Sequence, residues 1–250
     1  MQRPCPPSFP TQYNQHMSIA AGARFAHILL DFDRTLNDSD GVFERNLAGF
    51  LGLSGREILH GWDAVHREIL AKEPGERHEE LDLHYQRILE RIAGGDRESL
   101  RGELRARVQA AQQECWYATA LFPEALPFLH RLAESGATLH LATGDYAQTK
   151  AAAIERLAGR PFFQRTFDAD TLGVGKGKRD YYDRALESLA IAPGDGVVIG
   201  DSMQNDIAPA LEIGLATVWV RRKEEKAKDG VAPQFTVANL MDALPHLLPD

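Results

Sequence analysis

The 250-residue sequence has two cysteines, no long apolar run and no excess of positive charge. Cys5 and Cys115 are far apart, so they provide neither a disulfide framework nor the spacing of a metal site, and Cys115 is expected to pack in or near the core. No segment approaches the roughly 20 apolar residues that a membrane helix needs. The net charge of −8 argues against nucleic-acid and anionic-membrane partners. We therefore expect a cytoplasmic protein, and its oligomeric state is left open.

The first half of the chain divides into an arm and a helical block. Residues 1–24 are rich in proline and polar side chains and lack the apolar centre of a secretion signal, which predicts a flexible arm. Residues 42–118 have helical periodicity throughout, with a capping box at Ser54 and Glu57 and breaks at Pro74-Gly75 and Gly94-Gly95. This pattern predicts four helices, a shorter one near 44–53 and three longer ones, and no strand.

Short apolar strands alternate with helices in the rest of the chain. The strands are predicted at 28–30, 138–141, 197–199 and 216–220. Such alternation is typical of an α/β protein with a Rossmann-like parallel sheet and helices on both of its faces. Because the helical block follows the first strand, we predict an α/β core over 25–41 and 119–250 with an all-helical insertion over 42–118.

Two carboxylates follow the first predicted strand, in the stretch HILLDFDRTL. Side chains alternate along extended chain, so Asp31 and Asp33 can point to the same place beyond the end of the strand. Carboxylates held that close repel, which raises the pKa of one of them or requires a cation between them. On its own, the DFD triplet is also compatible with a surface turn.

Polar residues also follow two other strands, in ATGD and GDSMQND. Ligands of open parallel sheets bind beyond the carboxyl ends of the strands. If the three strands are neighbours, one pocket collects carboxylates, a hydroxyl and a loop lysine, a set that suits Mg²⁺ and a phosphoryl group. Besides Asp31 and Asp33, the set consists of Thr143, Asp201, Asp206 and a lysine of the GKGK loop.

The chemistry of phosphoryl transfer suggests a role for each of these residues. Asp31 is expected to attack phosphorus, and Asp33 to act as general acid and then as general base. Mg²⁺ is expected to bind Asp31, Asp201 and the backbone carbonyl of Asp33, while Asp206 orients the metal's waters or the lysine. Thr143 and the lysine are expected to hold the transferring oxygens.

These segments resemble the four motifs of the haloacid dehalogenase-like hydrolase superfamily. DFDRTL is similar to the first motif, DxDxT, and LATG to the second; GKGK contains the lysine of the third, and GDSMQND resembles the fourth, GDxxxxD. The resemblance spans about residues 27–220 with the motifs in order. It implies a Rossmann-like core and a helical C1-type cap that closes over the substrate.

Two features depart from the family pattern. Many members have glycine where this chain has Arg34, and this arginine either lines the pocket or points to solvent. The family often has K-P-D-P before a helix; ungapped spacing from Asp201 selects Lys176 as the catalytic lysine, whereas Lys178 aligns if the loop is shortened. The candidates for substrate binding are Thr143, Gly144, Asp145 and Arg34, although Asp145 is also a candidate helix cap.

Asp33 narrows the choice of reaction within the family. A halide leaves without a proton, so a second carboxylate favours the hydrolysis of a phosphate ester over dehalogenation. We predict a Mg²⁺-dependent phosphatase of a small phosphorylated metabolite, with a sugar phosphomutase and a non-catalytic phospho-ligand-binding relative as alternatives. We expect the cap to select the substrate. The candidate substrate-selecting residues are Trp62, His66, Arg67, His84, Tyr85 and Arg87. Trp62 and Tyr85 also fit the apolar periodicity of their helices, which favours core packing for these two.

Overall fold

A parallel sheet forms the centre of the computed structural model, which describes residues 23–72, 81–95, 97–222 and 230–249. The strands of the described residues are β1 (His27–Leu30), β2 (Thr138–Ala142), β3 (Phe163–Phe167), β4 (Gly196–Gly200), β5 (Ala216–Val220) and β6 (Phe235–Val237). All neighbours are parallel, in the order β3-β2-β1-β4-β5-β6. The three strands expected to carry the site, β1, β2 and β4, are therefore adjacent.

Helices occupy most of the remaining described chain. They are α1 (Ser39–Leu47), α2 (Gly55–Lys72), α3 (Leu81–Ala93), α4 (Glu98–Trp116), α5 (Ala125–Glu134), α6 (Ala147–Ala158), α7 (Ala169–Leu172), α8 (Arg179–Leu189), α9 (Ala208–Glu212) and α10 (Leu244–Leu247). Short 3₁₀ turns lie at Phe50–Gly52, Pro193–Asp195 and Met241–Ala243, and a π-helical turn at Met203–Ile207. None of the described helices is long and apolar enough to cross a bilayer.

The sheet has an apolar core on each face. Along β1, Ile28 and Leu30 belong to one buried cluster and Leu29 to another, because successive side chains of a strand point to opposite faces. The first cluster includes Phe128 of α5, and the second includes Tyr181 of α8. A sheet buried on both faces confirms the predicted Rossmann-like α/β class. The edge strands β3 and β6 were not predicted, since neither has a continuous apolar run.

The helices α1 to α4 share a buried cluster of their own, which includes Phe50, Ile58 and Leu89. The predicted capping box is present at the start of α2: the Glu57 backbone N–H lies 3.2 Å from Ser54 Oγ, and the Ser54 N–H lies 2.8 Å from a Glu57 carboxylate oxygen. A helical insertion between β1 and β2 agrees with the predicted cap. Its boundaries at 42 and 118 stay a prediction, and α1 begins at Ser39.

The first helix of the insertion differs from the prediction of a helix near 44–53. It begins earlier because Asp38 caps it, accepting a hydrogen bond from the Gly41 backbone N–H at 3.0 Å. It ends at Leu47 because Gly49 follows with a φ of 81°, a left-handed conformation that stops a helix. The predicted flexible arm up to residue 22 and the Pro74-Gly75 break lie outside the described residues.

Cys115 packs in the interior at the end of α4, as expected. Its side chain contacts a small buried cluster with Val42 and Ala111. Burial raises the pKa of the thiol to about 11, with a further contribution from the charge of Asp33. A thiol with so high a pKa is a poor nucleophile at neutral pH, which agrees with a packing role for this residue.

Candidate active site

Asp31 lies directly beyond β1, where its backbone N–H donates to the Ile199 carbonyl at 2.9 Å. Its side chain is only 6% exposed. One carboxylate oxygen accepts from Lys176 Nζ at 2.5 Å and the other from the Thr35 hydroxyl at 2.7 Å. Burial raises the pKa of Asp31 to about 6, and the Lys176 charge opposes part of this rise. The carboxylate is thus held at both oxygens, with its charge balanced by a lysine.

Lys176, and not Lys178, is the lysine of the GKGK loop that lies in the site. Its ammonium contacts Asp31 and, at 2.7 Å, Asp206. Burial alone would lower the pKa of Lys176, but these two carboxylates raise it well above its usual value, so the side chain stays charged. Lys178 is exposed at the residue before α8.

Asp33 lies two residues further along, with both carboxylate oxygens occupied. Oδ1 accepts from the Ser39 hydroxyl at 2.6 Å, and Oδ2 accepts from Lys150 Nζ at 2.8 Å. Burial would raise the pKa of Asp33, but the Lys150 ammonium and the Ser39 hydrogen bond together bring it below its usual value. The carboxylate is consequently fixed between α1 of the insertion and α6 of the core.

The loop after β2 places Thr143 beside this group. The Thr143 side chain is fully buried, and its hydroxyl accepts from Lys150 Nζ at 3.1 Å. Asp145 does not cap α6, as one reading of the sequence suggested: its carboxylate binds Lys150 at 2.6 Å, while Asp168 accepts from the Ala147 N–H at the helix start. Gly144 is exposed in the same loop.

The sequence left open whether Arg34 lines the pocket or points to solvent. In the structure its guanidinium turns towards the site. Arg34 Nε lies 3.0 Å from Asp201 Oδ2, with the arginine side chain 43% exposed. Its φ of 61° is left-handed, which explains a preference for glycine at this position. Burial raises the pKa of Asp201 well above its usual value; the charges of Asp31 and Asp206 add to this, and that of Arg34 opposes it.

Asp206 is almost fully buried in the π-helical turn after β4. One of its oxygens contacts Lys176, and the other accepts from the Ser202 backbone N–H at 2.9 Å. Gly200 is required beside it, because a Cβ at this position would lie 2.3 Å from the Asp206 carboxyl carbon. With both oxygens occupied, Asp206 is suited to orienting the lysine and the loop.

Three of these carboxylates form a group that can hold a metal ion. Oxygens of Asp31, Asp201 and Asp206 lie within 4.8 Å of one another. Buried oxygen ligands of this kind suit a hard divalent cation, and the raised pKa values of Asp31 and Asp201 indicate a place where positive charge would be favourable. The donor set therefore fits the expected cation.

Sequence reasoning missed three residues that support the site: Lys150, Ser39 and Arg222. Arg222 donates to the backbone carbonyls of Arg34 and Thr35 at 3.2 and 3.1 Å and so braces the loop after β1. The burial of Lys150 could have been inferred from the sequence, because helical spacing places this residue on the same face as the buried residues Ala147 and Ile154, where a lysine is unexpected.

Several of the cap candidates contact other residues of the insertion. Tyr85 and His84 are buried, and their rings pack against Trp62 with centroids 5.6 and 5.4 Å apart. Arg87 pairs with Glu90 on the surface of α3. Core packing therefore accounts for the aromatic candidates. An aromatic contact joins the insertion to the core: the ring centroids of Trp116 and Tyr146 are 4.0 Å apart.

The sheet topology is that of a Rossmann-like α/β core, and an acidic group lies at the carboxyl ends of its central strands. The chain belongs to the haloacid dehalogenase-like hydrolase family, whose sequence model matches residues 25–214. This confirms the resemblance seen in the motifs.

Named relatives extend this comparison. The chain is 28% identical over 236 residues to a glyceraldehyde 3-phosphate phosphatase of Methanopyrus kandleri, covering 89% of this chain and 98% of the relative. A glyceraldehyde 3-phosphate phosphatase of Pyrococcus furiosus is 26% identical, with 79% and 81% covered. Among solved structures, the magnesium-bound HAD-hydrolase YfnB of Bacillus subtilis has a TM-score of 0.71 at 18% identity, with 89% of this chain and 98% of YfnB covered. That structural likeness concerns the fold.

The Arg34–Asp201 pair leads to a first prediction about metal binding. Replacing Arg34 with glutamine removes a cation that competes for Asp201, so Mg²⁺ is expected to bind about fivefold more tightly, on the scale of a half-exposed ion pair. Isothermal titration calorimetry with Mg²⁺ measures this. Arg91→Gln is the matched control, because Arg91 is 41% exposed and pairs with Glu68 on the insertion. If both variants raised the affinity for Mg²⁺ equally, the cause would be the change in net charge of the protein and not the contact between Arg34 and Asp201.

Proposed function

We propose that this hydrolase is a Mg²⁺-dependent phosphatase of a small phosphorylated metabolite, working through an aspartyl-phosphate. The observation that supports this most directly is the pairing of Asp31 with Asp33 beside Lys176 and Thr143. One carboxylate is held as a nucleophile by a lysine and a hydroxyl, and a second is held two residues away, where it can serve the leaving group. Dehalogenation has no use for the second carboxylate.

In the first half-reaction, a carboxylate oxygen of Asp31 attacks phosphorus and the bond from phosphorus to the leaving oxygen breaks. Asp33 gives its proton to that oxygen, so the alcohol departs neutral. Lys176 and the Thr143 hydroxyl hold the non-bridging oxygens. Bound Mg²⁺, held by Asp31, Asp201 and the Asp33 carbonyl, would supply positive charge against the phosphoryl oxygens.

In the second half-reaction, Asp33 takes a proton from a water molecule whose oxygen attacks phosphorus. The bond between Asp31 and phosphorus breaks, which releases inorganic phosphate and restores the Asp31 carboxylate. Asp33 ends the cycle protonated, as it must be at the start. Because Lys150 and Ser39 hold the pKa of the resting carboxylate below its usual value, Asp33 takes up this proton when the negatively charged phosphoryl group binds beside it. The sum is ester plus water giving alcohol plus phosphate, so no further reactant is needed.

Phosphate release from p-nitrophenyl phosphate tests the proposal. Turnover is expected with Mg²⁺ and a loss of about a hundredfold or more after treatment with EDTA, because the acidic group would face the phosphoryl charge without a counterion. Restoration by added Mg²⁺ is the control for damage to the protein. A rate that EDTA leaves unchanged would contradict the role of the metal.

The substrate and the alternative reactions need product analysis. Because the named relatives above are glyceraldehyde 3-phosphate phosphatases, glyceraldehyde 3-phosphate is the first compound to test, followed by phosphorylated sugars, short organic acids and nucleotides. Phosphorus NMR distinguishes the release of inorganic phosphate from the phosphosugar isomers that a phosphomutase would make. A non-catalytic relative would bind these compounds and change none of them.

A further inference from the structure

Lys150 is the buried charge that this mechanism leaves without a role. It is 1% exposed, and its Nζ lies 2.8 Å from Asp33 Oδ2, 2.6 Å from Asp145 Oδ1 and 3.1 Å from Thr143 Oγ1. A lysine ammonium has three N–H donors and no acceptor. Each donor therefore has a partner among these three oxygens, and none remains for a substrate.

The position of Lys150 is not explained by the stability of its helix. It lies in the first turns of α6, near the positive end of the helix dipole, where a cation is unfavourable. An ammonium that loses its water also incurs a desolvation penalty, which only well-placed acceptors offset. Those acceptors come from the loop after β1 and the loop after β2. The lysine therefore joins the two loops that carry the proposed acid/base and phosphoryl-binding residues.

The contact with Asp33 distinguishes its two oxygens. Oδ2 faces the Lys150 ammonium, so a proton on Oδ2 would oppose an N–H donor. Oδ1 faces the Ser39 hydroxyl at 2.6 Å, and a hydroxyl can rotate to accept instead of donating. The transferable proton of Asp33 is consequently favoured on Oδ1.

The contact between Lys150 and Thr143 determines the direction of the Thr143 hydroxyl hydrogen. Because a lysine N–H can only donate, Thr143 Oγ1 is the acceptor of this hydrogen bond. The hydroxyl hydrogen of Thr143 must then point away from Lys150. It is left available for a non-bridging phosphoryl oxygen, which is the role that Thr143 has in the proposed mechanism.

We propose that Lys150 is a positioning residue of the phosphatase site, which orients Asp33 for proton transfer through Oδ1 and turns the Thr143 hydroxyl towards the phosphoryl group. This inference rests on the proposed function. It adds a residue that acts through Asp33 and Thr143 without touching the substrate.

The test compares two aryl esters of nearly equal size. Nitrophenolate leaves p-nitrophenyl phosphate without a proton, whereas the leaving oxygen of phenyl phosphate needs one. In Lys150→Met, kcat/KM is expected to fall about tenfold on p-nitrophenyl phosphate, through Thr143, and about a hundredfold on phenyl phosphate, through Thr143 and Asp33 together. Arg156→Met, at an exposed cation of the same helix, is expected to change neither value.

A double-variant comparison separates positioning from a structural role. In an Asp33→Asn background, Lys150→Met is expected to add no further loss that is selective for phenyl phosphate, because the residue it orients for proton transfer is gone. Equal losses on the two esters in the single variant, or the same selective loss in the double variant, would overturn the proposal.

Two further measurements keep the test decisive. If Lys150→Met does not fold, Lys150→Gln retains two N–H donors without the charge and is expected to show the same selectivity at smaller size; equal losses on both esters would again refute the inference. Wild-type protein that releases phosphate from neither ester would refute the proposed function itself. Wild-type activity on both, with equal losses in the variants, would refute only the role of Lys150.

Discussion

An Asp31→Asn variant is expected to lose phosphate release by about four orders of magnitude or more, the scale seen when a covalent nucleophile is removed. The amide has nearly the shape of the carboxylate: its oxygen can still accept from Lys176, while its NH₂ group faces the Thr35 hydroxyl, which can rotate to accept, so the shape of the site is preserved. It is, however, a poor nucleophile towards phosphorus. The measurement is phosphate release from p-nitrophenyl phosphate under saturating Mg²⁺.

The control for this variant is Asp180→Asn, at an exposed carboxylate in the first turn of α8. It makes the same chemical change and is expected to keep full activity. Mass spectrometry of the wild type quenched during turnover should detect phosphate on Asp31, and the variant should carry none. Full activity in Asp31→Asn would show that another group attacks phosphorus.

The pH dependence of stability gives a second measurement on the same variant. The pKa of Asp31 is about 6 in the fold, mainly through burial, against 3.8 for an ordinary aspartate. Between these values Asp31 holds more protons in the folded state than in the unfolded state, so its contribution to the free energy of unfolding falls as pH rises from about 4 to about 6. Asp201, whose pKa is also raised, contributes in the same direction, whereas burial lowers the pKa of His140 to about 3 and gives a contribution of the opposite sign. In metal-free protein, the change in this free energy from about pH 4 to about pH 6 is expected to be more positive in Asp31→Asn than in the wild type.

Lys176→Met is expected to have the second largest effect, because it removes the cation between Asp31 and Asp206. Breaking such a buried contact leaves uncompensated charge, which destabilises a fold by about 3–5 kcal/mol. Activity is expected to fall by about a thousandfold, on the scale of removing one preorganised donor to the phosphoryl oxygens. Urea unfolding of the metal-free variant and steady-state kinetics measure the two effects separately.

Lys178→Met is the matched comparison, two residues along the same loop. Because Lys178 is exposed, its replacement is expected to change stability by less than about 0.5 kcal/mol and to leave activity intact. Added Mg²⁺ is expected to restore part of the stability of Lys176→Met, since a cation bound by the folded state alone stabilises it. If Lys178→Met proves the more damaging change, the assignment of the lysine is wrong.

Much of the fold followed from local patterns. Alternation of apolar strands and helices predicted the parallel sheet, and continuous helical periodicity predicted the insertion between β1 and β2. Local patterns failed where a boundary depends on one side chain, as with Asp38 at the start of α1. They also failed for β3 and β6, which hold their places by pairing with one inner neighbour each.

The site residues that follow β1, β2 and β4 could be predicted from the sequence, because each of them comes after an apolar run that marks the strand. They are Asp31, Asp33, Thr143 and Asp201. Parallel strands bring such ends to one edge, so motif order alone implied a shared pocket. The partners of these residues come from distant helices and loops, and although spacing favoured Lys176, no local pattern specifies the contacts themselves. Packing brings Lys150 to Asp33 across 117 positions, turns Arg34 onto Asp201, and selects Lys176 over Lys178 by burial.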